Sequence, residues 1–377
     1  MQTYTLPYVR IIQKITSCYP YLVTINNGLN NIRVSKKGEI ISVEIPSGKR
    51  FLFLGWLLNI LTLRRIINKK KIKVVHPWCT TAGAVGTILK IFNKHLKLHI
   101  DSFEPHAEAM VENKTWKKNG LKYKVLFHFE KMEAMAADFL IFAAPGMEKY
   151  IREKYKTSVT NYAVKPACID LEVFSEKFIK NVDLLKKYNL EGKIVCVYAG
   201  KFGGIYLENE TFQFIKACEN YWEDKFRFLL LSNATDEYIK EKSSEFKIQN
   251  STILKMFVPH TEVPIYMGLA DFAISPVKPV PTKKYCTPIK DGEYWAMGLP
   301  VVITHNISID SEVIKDNKAG AILESFDEKG FTNAINQIDK IINGKGRLEV
   351  YKKIRPLAEK YRNFSIAEDI YQKIYGS

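Results

Sequence analysis

Two stretches of the chain hold glycines, lysines and a glutamate whose spacing suits an anionic, sugar-bearing ligand. In Val197-Tyr198-Ala199-Gly200-Lys201-Phe202-Gly203-Gly204, glycines follow an apolar run and let the backbone approach a ligand closely, and Lys201 beside them can neutralise phosphate. Alone, such a segment is equally a tight turn. In Lys283–Thr304 (KKYCTPIKDGEYWAMGLPVVIT), Pro288 blocks early helix formation and leaves backbone amides free, and Glu293 is expected in the first turn of the helix that follows. Free amides with Lys283, Lys284 and Lys290 make a cradle for a diphosphate, and a carboxylate at Glu293 can accept both hydroxyls of a ribose. A third group, Asp101, Glu104 and His106, follows a strand-like run, and His76 ends another. Such groups suit activation of an acceptor hydroxyl, and they suit a solvated acidic loop equally.

The elements that must position these residues alternate. After the Lys165–Pro166 boundary the sequence reads KIVCVYAG, FRFLLLSN, STILKMFV, DFAISPV, LPVVIT and GAILES as strands. Helix-length segments separate them, among them Glu208–Asn220, Glu262–Leu269 and Gly292–Met297. Before that boundary, strand-like runs at Tyr21–Ile25, Gly38–Ile45, Lys73–Val75, Leu96–Ile100 and Phe139–Phe142 alternate with the segments Arg50–Asn68, Ala82–Phe92 and Leu126–Ala137. Strands alternating with helices of this length indicate βαβ units and parallel sheets, so both halves are α/β. The expected division is 1–165, 166–350, and a helical segment 351–377 that packs back on the first domain. Ligands of open α/β sheets bind beyond the carboxyl ends of the strands, so two such sheets facing across a cleft would line it with the loops singled out above.

Here a resemblance becomes specific. Residues Pro288-Ile289-Lys290-Asp291-Gly292-Glu293-Tyr294-Trp295-Ala296-Met297-Gly298-Leu299-Pro300-Val301-Val302 look like the donor signature of family 4 glycosyltransferases, P-x-K-x-x-E-Y-x-A-x-G-x-P-V. The segment VYAGKFGG resembles that family's glycine-rich donor loop, and VPHTEVPIYMGLADFAISP has the family's look as well. In the N-terminal half, HIDSFEPHAEAMVENKTW and FEKMEAMAADFLIF resemble the acceptor lobe of members that assemble bacterial polysaccharides.

The resemblance implies a GT-B fold, two Rossmann-like domains facing across a cleft with a C-terminal helical segment. It also implies a retaining hexosyltransferase. A UDP- or GDP-sugar would be the donor, and a hydroxyl of a glycan or lipid-linked acceptor would receive the sugar. By the same resemblance Gly200, Lys201, Gly203, Pro288, Ile289, Lys290 and Glu293 bind the donor, with Glu293 on the ribose. Asp101, Glu104 and His106 are the catalytic candidates. With cationic side chains and loop amides on the leaving diphosphate, no metal or other cofactor is expected. The chain departs from the pattern twice. Eight positions before Glu293, where the family often has a second glutamate, stands Tyr285, so the sugar-contacting carboxylate is absent or replaced. The family also begins with a strand and a glycine-rich loop before a helix like QTYTLPYVRIIQKI, so either that strand is missing or the native start lies upstream of Met1. Sugar epimerases and phosphorylases share the scaffold, and an inactive nucleotide-sugar-binding homologue would keep most of the signature.

Charge narrows the partners. Residues 1–165 hold 27 basic and 11 acidic residues, against 29 and 29 in the remainder, so the whole formal charge of +16 lies in the N-terminal half. That asymmetry favours a polyanionic partner, for which an anionic membrane surface is the reading preferred. Nucleic acid is not expected, because aromatic residues are not interleaved with the basic ones in a recognisable motif. The apolar run Phe51–Leu63, flanked by Lys49, Arg50, Arg64, Arg65, Lys69, Lys70, Lys71 and Lys73, spans 13 residues, short of the ~20 that cross a bilayer. It reads as a core helix, an interfacial one, or both. The N-terminus lacks the pattern of a secretory signal. Six cysteines without a CxxC pair fit a reducing, cytoplasmic setting.

Overall fold

A computed structural model describes residues 4–46 and 52–376, leaving aside the side chains of Lys37 and of residues 52–56. Lys49, Arg50 and Phe51 of the apolar run and its flank lie outside the described residues.

Two compact units share the chain. The first comprises Met1–Ala107, Leu121–Lys165 and Ser365–Ser377, and the second Glu108–Gly120 and Pro166–Phe364. In the first unit the helix Leu6–Thr16 leads into a small sheet of β1 (Tyr21–Asn26), β2 (Arg33–Lys37) and β3 (Ile40–Pro46), in the order β1-β3-β2. β1 pairs with β3 in parallel and β2 with β3 antiparallel. A separate parallel sheet follows, β4 (Val74–Val75), β5 (Lys97–Phe103), β6 (Phe139–Phe142) and β7 (Tyr162–Val164), in sequential order. No pattern in the sequence announces β2 or β7, since RVSKK has no apolar alternation to bury and YAV is only three residues long.

In the second unit the strands are β8 (Ile194–Ala199), β9 (Phe226–Leu231), β10 (Ile253–Met256), β11 (Phe272–Ser275), β12 (Val301–Thr304) and β13 (Gly320–Leu323). All pair in parallel, in the order β10-β9-β8-β11-β12-β13. Both faces are covered, which is why these strands read as continuous apolar runs. Along β8, Val195 and Val197 enter one core cluster while Cys196 and Tyr198 enter the other. The strand order reverses between β8 and β11, the point at which doubly wound folds bind their ligands.

The unit boundaries differ from the expected ones in two places. Glu108–Gly120 belongs with the second unit, and so does the helix Arg347–Tyr361. Val350, Ile354, Leu357 and Ala358 of that helix are buried in the same cluster as Val195, Val197 and Trp295. Arg355 ties it further, donating to the carbonyls of Phe174, Ala296 and Leu171. Of the tail, it is the helix Ser365–Tyr375 that belongs to the first unit, where it packs on Leu6–Thr16. Amphipathic periodicity announces a buried face, not the sheet that buries it.

Candidate functional site

The glycine-rich loop and the helix Ile289–Ala296 meet at the reversal between β8 and β11. The helix starts at its N-cap Pro288, whose side chain caps nothing, so the first-turn amides lack a side-chain acceptor. It ends in a Schellman motif. Leu299 N donates to Tyr294 O and Gly298 N to Trp295 O, with Gly298 left-handed at φ +63°. A Cβ at Gly298 would lie 2.4 Å from the Tyr351 Cα, so glycine is required there on two counts. Glu293 is the fifth helical residue, one turn further in than the sequence suggested. The acid of the first turn is Asp291.

Asp291 is buried and faces inward. Asp310 and Arg362 are buried with it, and Arg362 Nη2 bonds Asp310 Oδ2 at 2.5 Å. Burial, and then the Asp310 carboxylate, push the Asp291 carboxyl well above its ordinary range. Gly292 leaves room for this arginine, since a Cβ there would lie 2.9 Å from Arg362 Cγ. The inner face of the helix thus packs through Gly292 against Arg362 and through Tyr294 and Trp295 into the core.

The outer residues are Lys290 and Glu293. Lys290 Nζ donates to the Tyr206 hydroxyl at 2.7 Å and lies 4.0 Å from the centroid of that ring. Its side chain fills the space beside Gly200, where a Cβ would come within 2.6 Å of Lys290 Cε. Gly200 is therefore a glycine of close approach, while Gly203 and Gly204 are glycines of conformation, at φ +77° and +63°. The two loops are stitched together. Leu207 N donates to Pro276 O, Lys278 N to Ile205 O, and Lys278 Nζ to Gly204 O. Glu293 is only 5 % exposed, and its Oε1 lies 3.3 Å from His260 Nε2 in the loop after β10. That hydrogen bond raises the His260 pKa above its ordinary value.

The remaining lysines are not gathered with Lys290. Lys283 is buried, with Nζ 3.6 Å from Cys286 Sγ, and Lys284 is exposed over the Tyr285 ring. Lys201 is exposed, and its carbonyl accepts the Tyr198 hydroxyl. A cavity of about 330 Å³ opens beside these loops, lined by Pro279, Val280, Pro281, Lys284 and Asn306. A larger one of about 590 Å³ runs along the helix Glu328–Ile342, away from the strand-order reversal, and gathers none of the residues above.

In the first unit the catalytic candidates separate. Asp101 is 0 % exposed and fully engaged. Its Oδ2 accepts the Tyr371 hydroxyl at 2.6 Å and lies 3.3 Å from His76 Nε2, while Oδ1 lies 3.2 Å from Lys165 Nζ and from Ser102 Oγ. Burial would raise its pKa, but the Lys165 ammonium and the bond to His76 overcome that and hold the carboxyl well below its ordinary range. Asp101 and His76 thus form a buried tie to the helix Ser365–Tyr375, with no lone pair left for an acceptor, and Asp101 is withdrawn from the catalytic candidates. Glu104 and His106 are half-buried, their side chains 3.8 Å apart. Among the described residues no three His, Cys, Asp or Glu side chains gather in a way that holds a metal, and no helix is long and apolar enough to cross a membrane.

Comparison with known proteins bears on the fold. Residues 193–339 match the protein family described as glycosyl transferases group 1. No curated protein matches the sequence. Among solved structures, sucrose-phosphate synthase from Thermosynechococcus elongatus aligns over 98 % of this chain and 92 % of its own, with TM-score 0.73 and 15 % identity. The α,α-trehalose-phosphate synthase (UDP-forming) from Burkholderia vietnamiensis aligns over 97 % and 95 %, with TM-score 0.69 and 10 % identity. HepE from Anabaena in complex with UDP aligns over 90 % and 87 %, with TM-score 0.67 and 11 % identity. The chain has the GT-B glycosyltransferase fold, and the stretch that matches glycosyl transferases group 1 lies in its second unit.

Proposed function

We propose that the protein is a family 4 glycosyltransferase. It moves a sugar from a UDP- or GDP-sugar to a hydroxyl of a lipid-linked or polysaccharide acceptor, with retention of configuration. The observation that carries this is the junction of Gly200, Lys290 and Glu293 at the strand-order reversal of the second unit. Lys290 and the uncapped amides of the helix Ile289–Ala296 offer positive charge to a diphosphate. Glu293, already oriented by His260, offers a carboxylate to the ribose. The leaving nucleoside diphosphate is stabilised by the lysine and the amides, so the reaction needs no metal. Two of the structural neighbours, one bound to UDP and one described as UDP-forming, support a nucleotide-sugar donor. Retention is supported by the P-x-K-x-x-E-Y-x-A-x-G-x-P-V pattern, and Glu104 with His106 are the groups proposed to face the acceptor. Calorimetry tests the donor half: Glu293→Ala should abolish binding of UDP and GDP, and unchanged affinity would sink the assignment.

The acceptor is proposed to lie at an anionic membrane, with the enzyme peripheral on its cytoplasmic face. The helix Leu52–Lys69 exposes Leu57, Leu58 and Leu61 and then, on the same side, Arg64 and Arg65. Arg64 stands over the exposed Phe92 ring, 5.5 Å from its centroid. Apolar residues ahead of cations suit seating among headgroups. The protein should sediment with anionic vesicles at low ionic strength and leave them at high salt, and indifference to salt would remove this half of the proposal.

A further inference from the structure

The turn just before the helix Ile289–Ala296 is capped by a residue far away in sequence. Pro281–Tyr285 forms a short 3-10 turn whose N-cap, Val280, has no side chain able to bond the turn's first amides. Thr282 within it is buried. Its N–H donates to Glu112 Oε2 at 3.0 Å, and its hydroxyl donates to the same oxygen.

Glu112 is the last residue of the helix His106–Glu112. A carboxylate there gains nothing from the helix dipole, so its placement needs another reason, and Thr282 provides one. The helix end is held firmly. Lys114 turns the chain through the left-handed region at φ +59°, and the amides of Thr115 and Trp116 both donate to Met110 O. The segment Glu108–Gly120 belongs with the second unit, although its neighbours in sequence on both sides belong to the first.

What Glu112 fixes is one wall of the 330 Å³ cavity, since Val280, Pro281 and Lys284 line it. The same turn extends its hold through Lys283, whose carbonyl accepts Ser308 N close to Asn306 on the cavity's other side. Tyr285 stands where the resembled pattern has a carboxylate. The carboxylate this turn does receive is bonded to the Thr282 backbone and comes from Glu112.

We propose that Glu112 is a positioning residue for the donor. It holds the Pro281–Tyr285 turn in the shape that receives the distal phosphate and sugar, while Glu293 holds the ribose independently. This rests on the donor site described under the proposed function.

Titration calorimetry of the full chain with UDP and with UMP tests it. Glu112→Ala leaves two buried donors of Thr282 unsatisfied and should weaken UDP binding about tenfold while leaving UMP within about twofold. Glu112→Gln, whose amide oxygen still accepts both bonds, should restore UDP affinity. Glu112→Asp, one methylene shorter, should behave like alanine and serves if the alanine variant melts early. Thr282→Val, which removes the hydroxyl bond and keeps the N–H bond, should produce part of the alanine loss, and adding it to Glu112→Ala should change little. Wild-type affinity for UDP in Glu112→Ala would overturn the inference and leave the donor site standing. A parallel fall for UDP and UMP would overturn it too, as the mark of general loosening. Absence of UDP and GDP binding by the wild type would instead bring down the donor site, and this inference with it.

Discussion

Each unit carries a buried carboxylate beside an imidazole, and the two pairs look alike at first: Asp101 with His76 and Glu293 with His260, each at 3.3 Å. Their surroundings are opposite. Asp101 is closed in by Lys165, Tyr371 and Ser102, so its charge is cancelled and its lone pairs are taken. Glu293 has no further described hydrogen-bond partner, and His260 is partly exposed. A carboxylate–imidazole pair is therefore no signature of chemistry by itself. A carboxylate with every lone pair engaged holds structure together, and one with an oxygen still open can receive a ligand.

That contrast predicts a double dissociation between stability and binding. The larger effect belongs to Asp101→Asn, which strands the Lys165 ammonium in a buried site and should cost about 3–5 kcal/mol of stability. Thermal or denaturant unfolding should show it, with UDP affinity of the remaining folded protein unchanged. If stability held and turnover vanished, Asp101 would return to the catalytic candidates. The smaller effect belongs to Gly200→Ala. Its new methyl meets the flexible end of Lys290 instead of backbone, so stability should change by no more than about 0.5 kcal/mol. Displacing that ammonium should weaken UDP about tenfold, some ~1.4 kcal/mol. Equal UDP affinity in Gly200→Ala would erase the distinction drawn between the two units.

The comparison also marks what a linear sequence carries. Pro288, Lys290 and Glu293 lie within one loop-to-helix passage, so their spacing and the strand–helix alternation around them were readable directly. The partners that give them meaning were not. Tyr206 reaches Lys290 across 84 positions, His260 reaches Glu293 across 33, and Glu112 reaches Thr282 across 170. No local pattern announces such meetings. A hint for His260 did exist, because VPHTE follows β10, three places from β11 in the same parallel sheet, at the same carboxyl edge. Asp101 misled for the converse reason. It looks like a strand-end acid until Tyr371, 270 positions later, fills its remaining lone pair. The helix Arg347–Tyr361 misled similarly, since its apolar stripe fits either sheet and Arg355 decides which.

The discontinuity of the first unit bears on how the chain comes off the ribosome. About 200 residues separate Lys165 from Ser365, and the second unit occupies that interval. At roughly 5–20 residues per second, translation delivers Tyr371 about 10–40 s after Asp101 and Lys165 have emerged. During that wait the second unit can complete its sheet while the first holds an ion pair without its closing hydroxyl. The nascent protein is thus expected to complete its second unit before its first is sealed.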